Sequence, residues 1–460
     1  MRKRSKTHIN FENIDKPSLG YCLIRPVPGF VFRHIYYRRY HVVGRQNIPG
    51  QNVPTLIVCN HQNGLNDALA ILYMFRDFRQ PTFIARADMF KKPLVIAVLK
   101  LFKIMPAFRP RDGEDPTKNE EIFNVSANVL IHRHTLVLFP EGVADDGHYL
   151  SMFRKGFARS AFRAEERSDF KLGIKILPVC NHYSGYYNFR ERLTMVVGEP
   201  VELADYLDLY RENPEKAQLE LSRDMRDRVQ KLMLDIRPRE DYEKLNLLRR
   251  IYTPYYLKRH NLRTLYFPNH LTADKATILA LEQLKDSDPQ KYKKLLDLAQ
   301  ALLDGMTKLN LRVWLFSKSG HAWSLVLKTV WFSLLYPLYI TTYAINWLPY
   351  KACEKFLKKV KDKVLFSSFA FVLGGLVLYP VYGTALGIIL SIVLGSAWAF
   401  FAMHVFLLLS TIFFWNYKKG LIKLRARWRF YWLQKSKNEE LMQQFKVYKE
   451  IVDELNKIVL

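Results

Sequence analysis

Thr55-Leu56-Ile57-Val58-Cys59-Asn60-His61-Gln62-Asn63-Gly64-Leu65-Asn66-Asp67, followed by the apolar run 68–75, is the stretch that decides the fold. Its first five residues are apolar or β-branched without alternation, as in a strand buried on both faces of a parallel sheet. Asn60 to Gly64 interrupt that run, and the apolar residues beyond them follow a helical period. A strand that turns into a helix is the unit of α/β sheets, and ligands gather where such strands end. The imidazole of His61 stands at that point. Asp67, about one and a half turns on, can return its carboxylate to the ring, fix the tautomer and leave the other nitrogen free to take a proton. Taken alone, such a pair also suits a structural histidine.

Further β-rich runs lie at Thr82–Arg86, 135–139, 174–179 and 193–197, separated by longer stretches of helical period. This alternation predicts an α/β fold, with a mostly parallel sheet covered by helices. Residues 46–240 form that domain. Ahead of it, 1–45 is basic and aromatic. There Leu23, Val27, Phe30, Val31 and Ile35 alternate with Arg25, Arg33, Arg38 and Arg39, as in an amphipathic helix that lies in a membrane interface or packs on the domain. Pro26 and Pro28 confine that helix to the residues after Gly29. The basic start, Met1 to Lys6, is followed by Asn10, Glu12, Asp15 and Lys16 rather than an apolar run, so a cleaved signal peptide is not expected. Helical, charged segments at 213–236 and 288–309 predict a helical extension, with 241–320 as connector.

Residues 321–415 are membrane-embedded helices by composition. From 364 to 415 there is no Asp, Glu, Lys or Arg, a run of 52 residues. Because about 20 apolar residues cross a bilayer, this is read as two spans with a turn near 379–383. A third apolar stretch, 322–348, carries only Lys328 and is broken at Pro337. Segment 349–363 holds six lysines against Glu354 and Asp362, and 418–437 holds eight basic residues and no acid. Both should stay cytoplasmic. That is satisfied if 322–348 is a shallow hairpin while 364–415 crosses twice, leaving 416–460 as a basic cytoplasmic tail and the α/β domain on the same side. The net charge of +27 fits a bilayer with anionic lipids as partner better than nucleic acid, since the densest basic runs flank the apolar spans. The four cysteines are scattered singly, with no redox or metal-ligand spacing, and are expected to be reduced thiols. No metal site is expected.

Three more motifs follow the histidine. Met105-Pro106-Ala107-Phe108-Arg109-Pro110-Arg111-Asp112-Gly113 places Arg109 and Arg111 in a proline-stiffened loop, and guanidinium forks suit a phosphate. Phe139-Pro140-Glu141-Gly142 ends the 135–139 strand. Glu141 can there bind a hydroxyl or hold a neighbouring loop, and Gly142 allows close backbone approach or positive φ. Ile176-Leu177-Pro178-Val179, with Asn181-His182-Tyr183 after it, reads as a wall.

As an ordered set, these motifs resemble the glycerolipid acyltransferase family over roughly residues 40–205. So do Val43-Gly44-Arg45-Gln46-Asn47-Ile48-Pro49 and Phe153-Arg154-Lys155-Gly156-Phe157. The resemblance implies a membrane-bound enzyme that transfers a fatty acyl group from acyl-coenzyme A or acyl carrier protein to glycerol-3-phosphate or 1-acylglycerol-3-phosphate, without a cofactor. It implies His61 as base, Asp67 as its orienting partner and Arg109 as a binder of the acceptor phosphate. It also puts Glu141 and Gly142 in the acceptor site, with Arg111 and Lys155 as further candidates for the anion. The chain departs from the family at two places. Five residues rather than four separate His61 from Asp67, which leaves Asn66 at the usual position, and Val143-Ala144 follow the Glu motif where relatives carry hydroxyl or basic residues. Asp67 is preferred because a carboxylate stabilises imidazolium better than an amide. The alternatives are acylation of a lyso-aminolipid, lysophospholipid remodelling, or a non-catalytic membrane scaffold. A hydrolase lacks support because no Gly-x-Ser-x-Gly motif occurs.

Overall fold

The computed structural model describes residue 11 and residues 13–109, 115–317 and 322–459. The chain divides into two compact units, Met1–Met233 and Leu234–Leu460.

The first unit is built on one mostly parallel sheet. Its strands are β1 (Arg39–Val43), β2 (Thr55–Cys59), β3 (Thr82–Arg86), β4 (Ile104–Ala107), β5 (Thr135–Leu138), β6 (Lys175–Tyr183), β7 (Arg192–Val197) and β8 (Val201–Glu202). Their order is β1-β7-β6-β2-β5-β3-β4, with β8 also on β6. Among the described residues, only the β6–β7 and β6–β8 pairs are antiparallel. All five residues of β2 are buried, as its unbroken apolar run requires. Parallel neighbours β5 and β6 flank it, so the turn after Cys59 opens at the centre of the sheet.

Two prolines sit in this sheet without breaking it. Pro106 lies on β4, the last strand of the order, where a missing N–H is tolerated. The carbonyl of Pro178 on β6 accepts the Gly198 N–H at 2.9 Å. Its absent N–H therefore falls on the same edge, in the gap between the β8 rungs at 175–176 and the β7 rungs at 179–183, and the ladder to β2 is unaffected. The core joins Leu56, Val58 and Leu136 of the sheet to Phe157, Ala161 and Phe162 of the helix Gly156–Glu166. Leu221, Met225 and Val229 of the helix Pro214–Leu232 complete it.

The expected strands are found within a residue or so of their expected limits, except that β6 runs on to Tyr183. Several expectations are corrected. Met105 to Ala107 are strand rather than loop, so the arginine loop starts at Phe108. The helical N-terminal segment begins at Leu19, not after Gly29. Pro26 starts a second short helix, Pro26–Phe30, at a position whose N–H is unpaired in any helix. Residues 39–43 belong to the sheet as β1.

The second unit is helical. Tyr242–Arg259, Pro268–Ser287, Pro289–Lys308 and Glu439–Ile458 pack together, with Arg249 pairing Asp274 at 2.6 Å. Asp288 caps the third of these through the Lys291 N–H, and Pro289 fills its first position. Ala322–Leu334 and Tyr336–Leu357 meet at a 51° bend beside Pro337, as the break there foretold. Two helices, Lys363–Leu394 and Trp398–Lys435, are long and apolar enough to cross a membrane. The turn between them is at Gly395, not at 379–383. Gly395 adopts φ +60° and ends the first helix in the left-handed region. Pro380 lies inside this continuous helix, where the preceding stretch Ala370–Leu378 is π-helical and loosens the ladder that the proline would otherwise break. The basic residues from 418 to 435 continue the second helix.

Gly44 tests how tightly the sheet edge is fitted. It has φ +74°, and an added Cβ would come within 2.1 Å of the Val197 carbonyl oxygen. Gly173 has φ +70° but open space around it. Gly173→Ala should therefore cost only the left-handed strain, about 1–2 kcal/mol. Gly44→Ala adds a backbone collision to that strain and should lower the melting temperature of the detergent-solubilised chain considerably further.

Candidate active site

The polar turn after β2 wraps around one carboxylate. Gly64, with φ +54°, reverses the chain so that Asp67 enters the first turn of the helix Leu65–Met74 and faces back toward the strand end. Asp67 Oδ2 accepts the Gln62 N–H at 2.8 Å and the Asn63 N–H at 2.7 Å, and it lies 2.8 Å from His61 Nδ1. Asp67 Oδ1 accepts the Tyr183 hydroxyl at 2.6 Å and the Asn181 amide at 3.3 Å. The side chain is fully buried. A carboxylate already ringed by donors can only accept, so Nδ1 of His61 carries the proton and Nε2 is left as the acceptor. Of Asn66 and Asp67, it is Asp67 that meets the ring, and Asn66 is buried in the same turn.

His61 is held through both its ring and its backbone. Its ring stacks on Phe139 at 4.4 Å between centroids, yet the side chain keeps 21% exposure. Its N–H donates to Glu141 Oε1 at 2.7 Å, and its carbonyl accepts the Asp145 N–H at 3.0 Å. Glu141 Oε2 accepts the Ser151 N–H at 2.8 Å. Of its two sequence readings, Glu141 thus shows the loop-holding one. Burial pushes its pKa up to about 7, against the pull of the N–H groups of Ser151 and His61.

Arg109 is buried and donates from Nη1 to the Gly142 carbonyl, which ties the end of β4 to the end of β5. Asn119 fixes the start of that loop by bonding both the N–H and the carbonyl of Phe108, at 2.9 and 2.7 Å. Gly142 has φ +68°, and its N–H closes a turn on the Phe139 carbonyl at 3.0 Å. Arg154 lies over it, where an added Cβ would come within 3.1 Å of Nε. Lys155 is exposed just before the helix Gly156–Glu166. Arg111 lies outside the described residues. Among the sequence-derived candidates, His61 is hydrogen-bonded to Asp67 and Glu141, and Arg109 to Gly142, the residue after Glu141.

Sequence reasoning missed Asn181 and Tyr183 as partners of Asp67, having read their segment as wall. Burial, with Asp67 beside it, raises the Tyr183 phenol well above its ordinary pKa, so it remains a donor. It also missed Asn60, which exchanges two bonds with the Asn181 backbone at 3.0 and 2.7 Å. Gln62 was missed too; it donates to the Gly147 carbonyl and accepts the Tyr186 hydroxyl at 3.2 Å. The signal available was the polarity of a strand end otherwise made of buried residues.

Residues 39–182 match the family described as Acyltransferase. The match lies within the first unit and covers about a third of the chain. A chloroplastic 1-acyl-sn-glycerol-3-phosphate acyltransferase of Arabidopsis thaliana is 24% identical over 143 residues, 31% of this chain and 36% of that protein. The chain thus spans about a third of the length of the curated relative it matches. The crystal structure of a 1-acyl-sn-glycerophosphate acyltransferase, PlsC, from Thermotoga maritima aligns over 45% of this chain and 78% of that one. Its sequence identity is 20% and the TM-score 0.33.

Glu141 gives a pH signature. A carboxyl whose folded pKa is raised from 4.5 to about 7 adds stability that is full below pH 4.5 and lost as pH rises through 7. The melting temperature of wild type relative to Glu141→Gln should therefore fall between pH 5 and 7 and level off towards pH 8. A constant difference across that range would show that Glu141 titrates as an ordinary surface carboxyl.

Proposed function

We propose that the protein is a membrane-bound O-acyltransferase that moves a fatty acyl group from a thioester to a hydroxyl of a glycerolipid precursor. Glycerol-3-phosphate or its 1-acyl derivative is the acceptor class. The observation that carries this reading is the His61–Asp67 pair, oriented at a strand end within an acyltransferase-family domain. His61 Nε2 takes the proton of the acceptor hydroxyl, whose oxygen attacks the thioester carbonyl carbon. The C–S bond breaks, and the thiolate of coenzyme A or acyl carrier protein departs and is protonated from His61. Asp67 keeps Nδ1 protonated and stabilises the imidazolium between the two transfers. No acyl-enzyme is needed, because the nucleophile belongs to the acceptor.

The apolar partners are consistent with a substrate drawn from a bilayer. Leu19, Leu23, Val27 and Phe30 are exposed along the N-terminal helices, and Leu94 and Val98 along the helix Pro93–Leu101. These helices are neighbours, since a Cβ on Gly20 would lie 3.3 Å from Leu101. With the two long apolar helices of the second unit, they support attachment to the membrane, with the catalytic domain on the cytoplasmic side.

In membranes given labelled acyl thioester and acceptor, His61→Ala should lower turnover by about two to four orders of magnitude. Asp67→Asn should be severely impaired and Asn66→Ala mildly. Retention of more than about a tenth of wild-type turnover by His61→Ala would refute the base assignment.

Arg109 is assigned to the acceptor phosphate through charge-assisted bonds, which are roughly twice as strong as neutral ones. Arg109→Lys keeps the charge but loses the fork, so the KM for a phosphate-bearing acceptor should rise while that for the thioester stays unchanged. Full activity of Arg109→Ala with 1-acylglycerol-3-phosphate would remove the phosphate assignment and favour a lyso-aminolipid acceptor.

A further inference from the structure

A second ligand site is indicated in the helical unit, away from any residue of the acyl-transfer machinery in sequence. Between the helices Ala322–Leu334 and Trp398–Lys435 lies a cavity of about 480 Å³, walled by Trp314, Trp331 and Phe332 and by three cations, Lys328, Lys423 and Arg427. Its framework is fixed. The Phe332 ring rests on Gly420, where an added Cβ would come within 2.5 Å of Cζ. The Tyr417 hydroxyl donates to the Phe332 carbonyl at 2.5 Å, and Trp428 Nε1 donates to the Thr329 hydroxyl at 2.8 Å. The two helices are thus clasped on either side of the glycine.

The helices around this cavity are one-sided in sequence. Residues 305–353 and 363–438 contain no Asp or Glu, so both helices that supply the cations are basic without an acid of their own. Depth along the helix gives the setting. At about 1.5 Å per residue, 398–417 fills a hydrocarbon core of about 30 Å, which leaves Gly420 at the level of lipid headgroups and Lys423 and Arg427 just beyond it, with long side chains that lean back toward the helix N-terminus and the headgroups. Tryptophans favour the same boundary, and Trp331 is 60% exposed beside the cavity.

We infer that this cavity binds one anionic phospholipid, with its phosphate on Lys328, Lys423 and Arg427 and its upper acyl segments on Trp331 and Phe332. A soluble phosphate would satisfy the cations but leave the aromatic walls without a partner, so the lipid is the occupant that uses both. The inference rests on the reading that the Trp398–Lys435 helix crosses the bilayer.

The full chain, reconstituted in phosphatidylcholine, is titrated with phosphatidylglycerol brominated on its acyl chains, and quenching of tryptophan fluorescence is followed. One Lys or Arg near an anionic surface contributes about fivefold in affinity, so wild type should prefer phosphatidylglycerol by at least about tenfold. The triple variant Lys328→Gln, Lys423→Gln, Arg427→Gln should fall to about twofold or less, and Lys423→Gln alone should lie between. A control with the same loss of charge at the exposed Lys437, Lys446 and Lys449 should keep the wild-type preference. Unchanged preference in the triple variant overturns the site, as does equal loss in the control. Displacement of the brominated lipid by millimolar inorganic phosphate overturns the lipid assignment. Flotation with pure phosphatidylcholine vesicles separates the two readings. Failure to float overturns the crossing and the lipid site together, whereas flotation without lipid preference overturns the site alone.

Discussion

The carboxylate of Asp67 is the constraint on which the rest of the candidate site depends. It accepts from two backbone N–H groups of its own turn, from the His61 ring, and from Asn181 and Tyr183 on β6. One buried charge thereby fastens the end of β2, the start of the helix Leu65–Met74 and the far end of β6. Hydrogen bonds to charged groups contribute about 1.5–3 kcal/mol each, whereas a buried carboxylate stripped of a partner costs several kcal/mol. The turn is therefore held in a single arrangement, and the imidazole orientation follows from it.

Glu141 is the second buried carboxyl of the site, and its surroundings differ. It has two donors, both N–H, where Asp67 has five, four N–H and one O–H, counted over both oxygens of each group. Desolvation is then incompletely offset, and the pKa rises to about 7. Two carboxyls a few bonds apart thus divide the work, one orienting the ring and the other bracing the backbone that carries it.

The parts of the fold legible in the sequence were the strands that are apolar or β-branched nearly throughout. β2 and β5 read so because sheet neighbours and helices cover almost all of their residues, and β3 and β7 were read from the same composition although they are buried over only part of their length. β1 and β4 were not legible, since an edge strand can carry Arg39, His41 or Pro106 and still pair. The turn between the apolar helices was misplaced because Tyr379-Pro380 looks like a breaker, whereas the helix runs through it next to a π-helical stretch. Within the site, the pairing of His61 with Asp67 was readable from local spacing. The partners of Asp67 were not, because Asn181 and Tyr183 lie 114 and 116 residues away and their role arises only when β6 pairs with β2.

The loop from Glu141 to Ser151 begins and ends on one side chain, because Glu141 also accepts the Ser151 N–H. In between, both main-chain polar groups of His61 are engaged, the N–H by Glu141 and the carbonyl by Asp145. The segment is consequently a closed brace and not a hinged flap. Most surface loops absorb extra residues at little thermodynamic cost, because closure entropy grows only slowly with length. Here an added residue would shift the backbone beneath the imidazole, so loop length and ring position are one variable. Changes in chain length can be accommodated in this domain elsewhere, but not between the two ends of that brace.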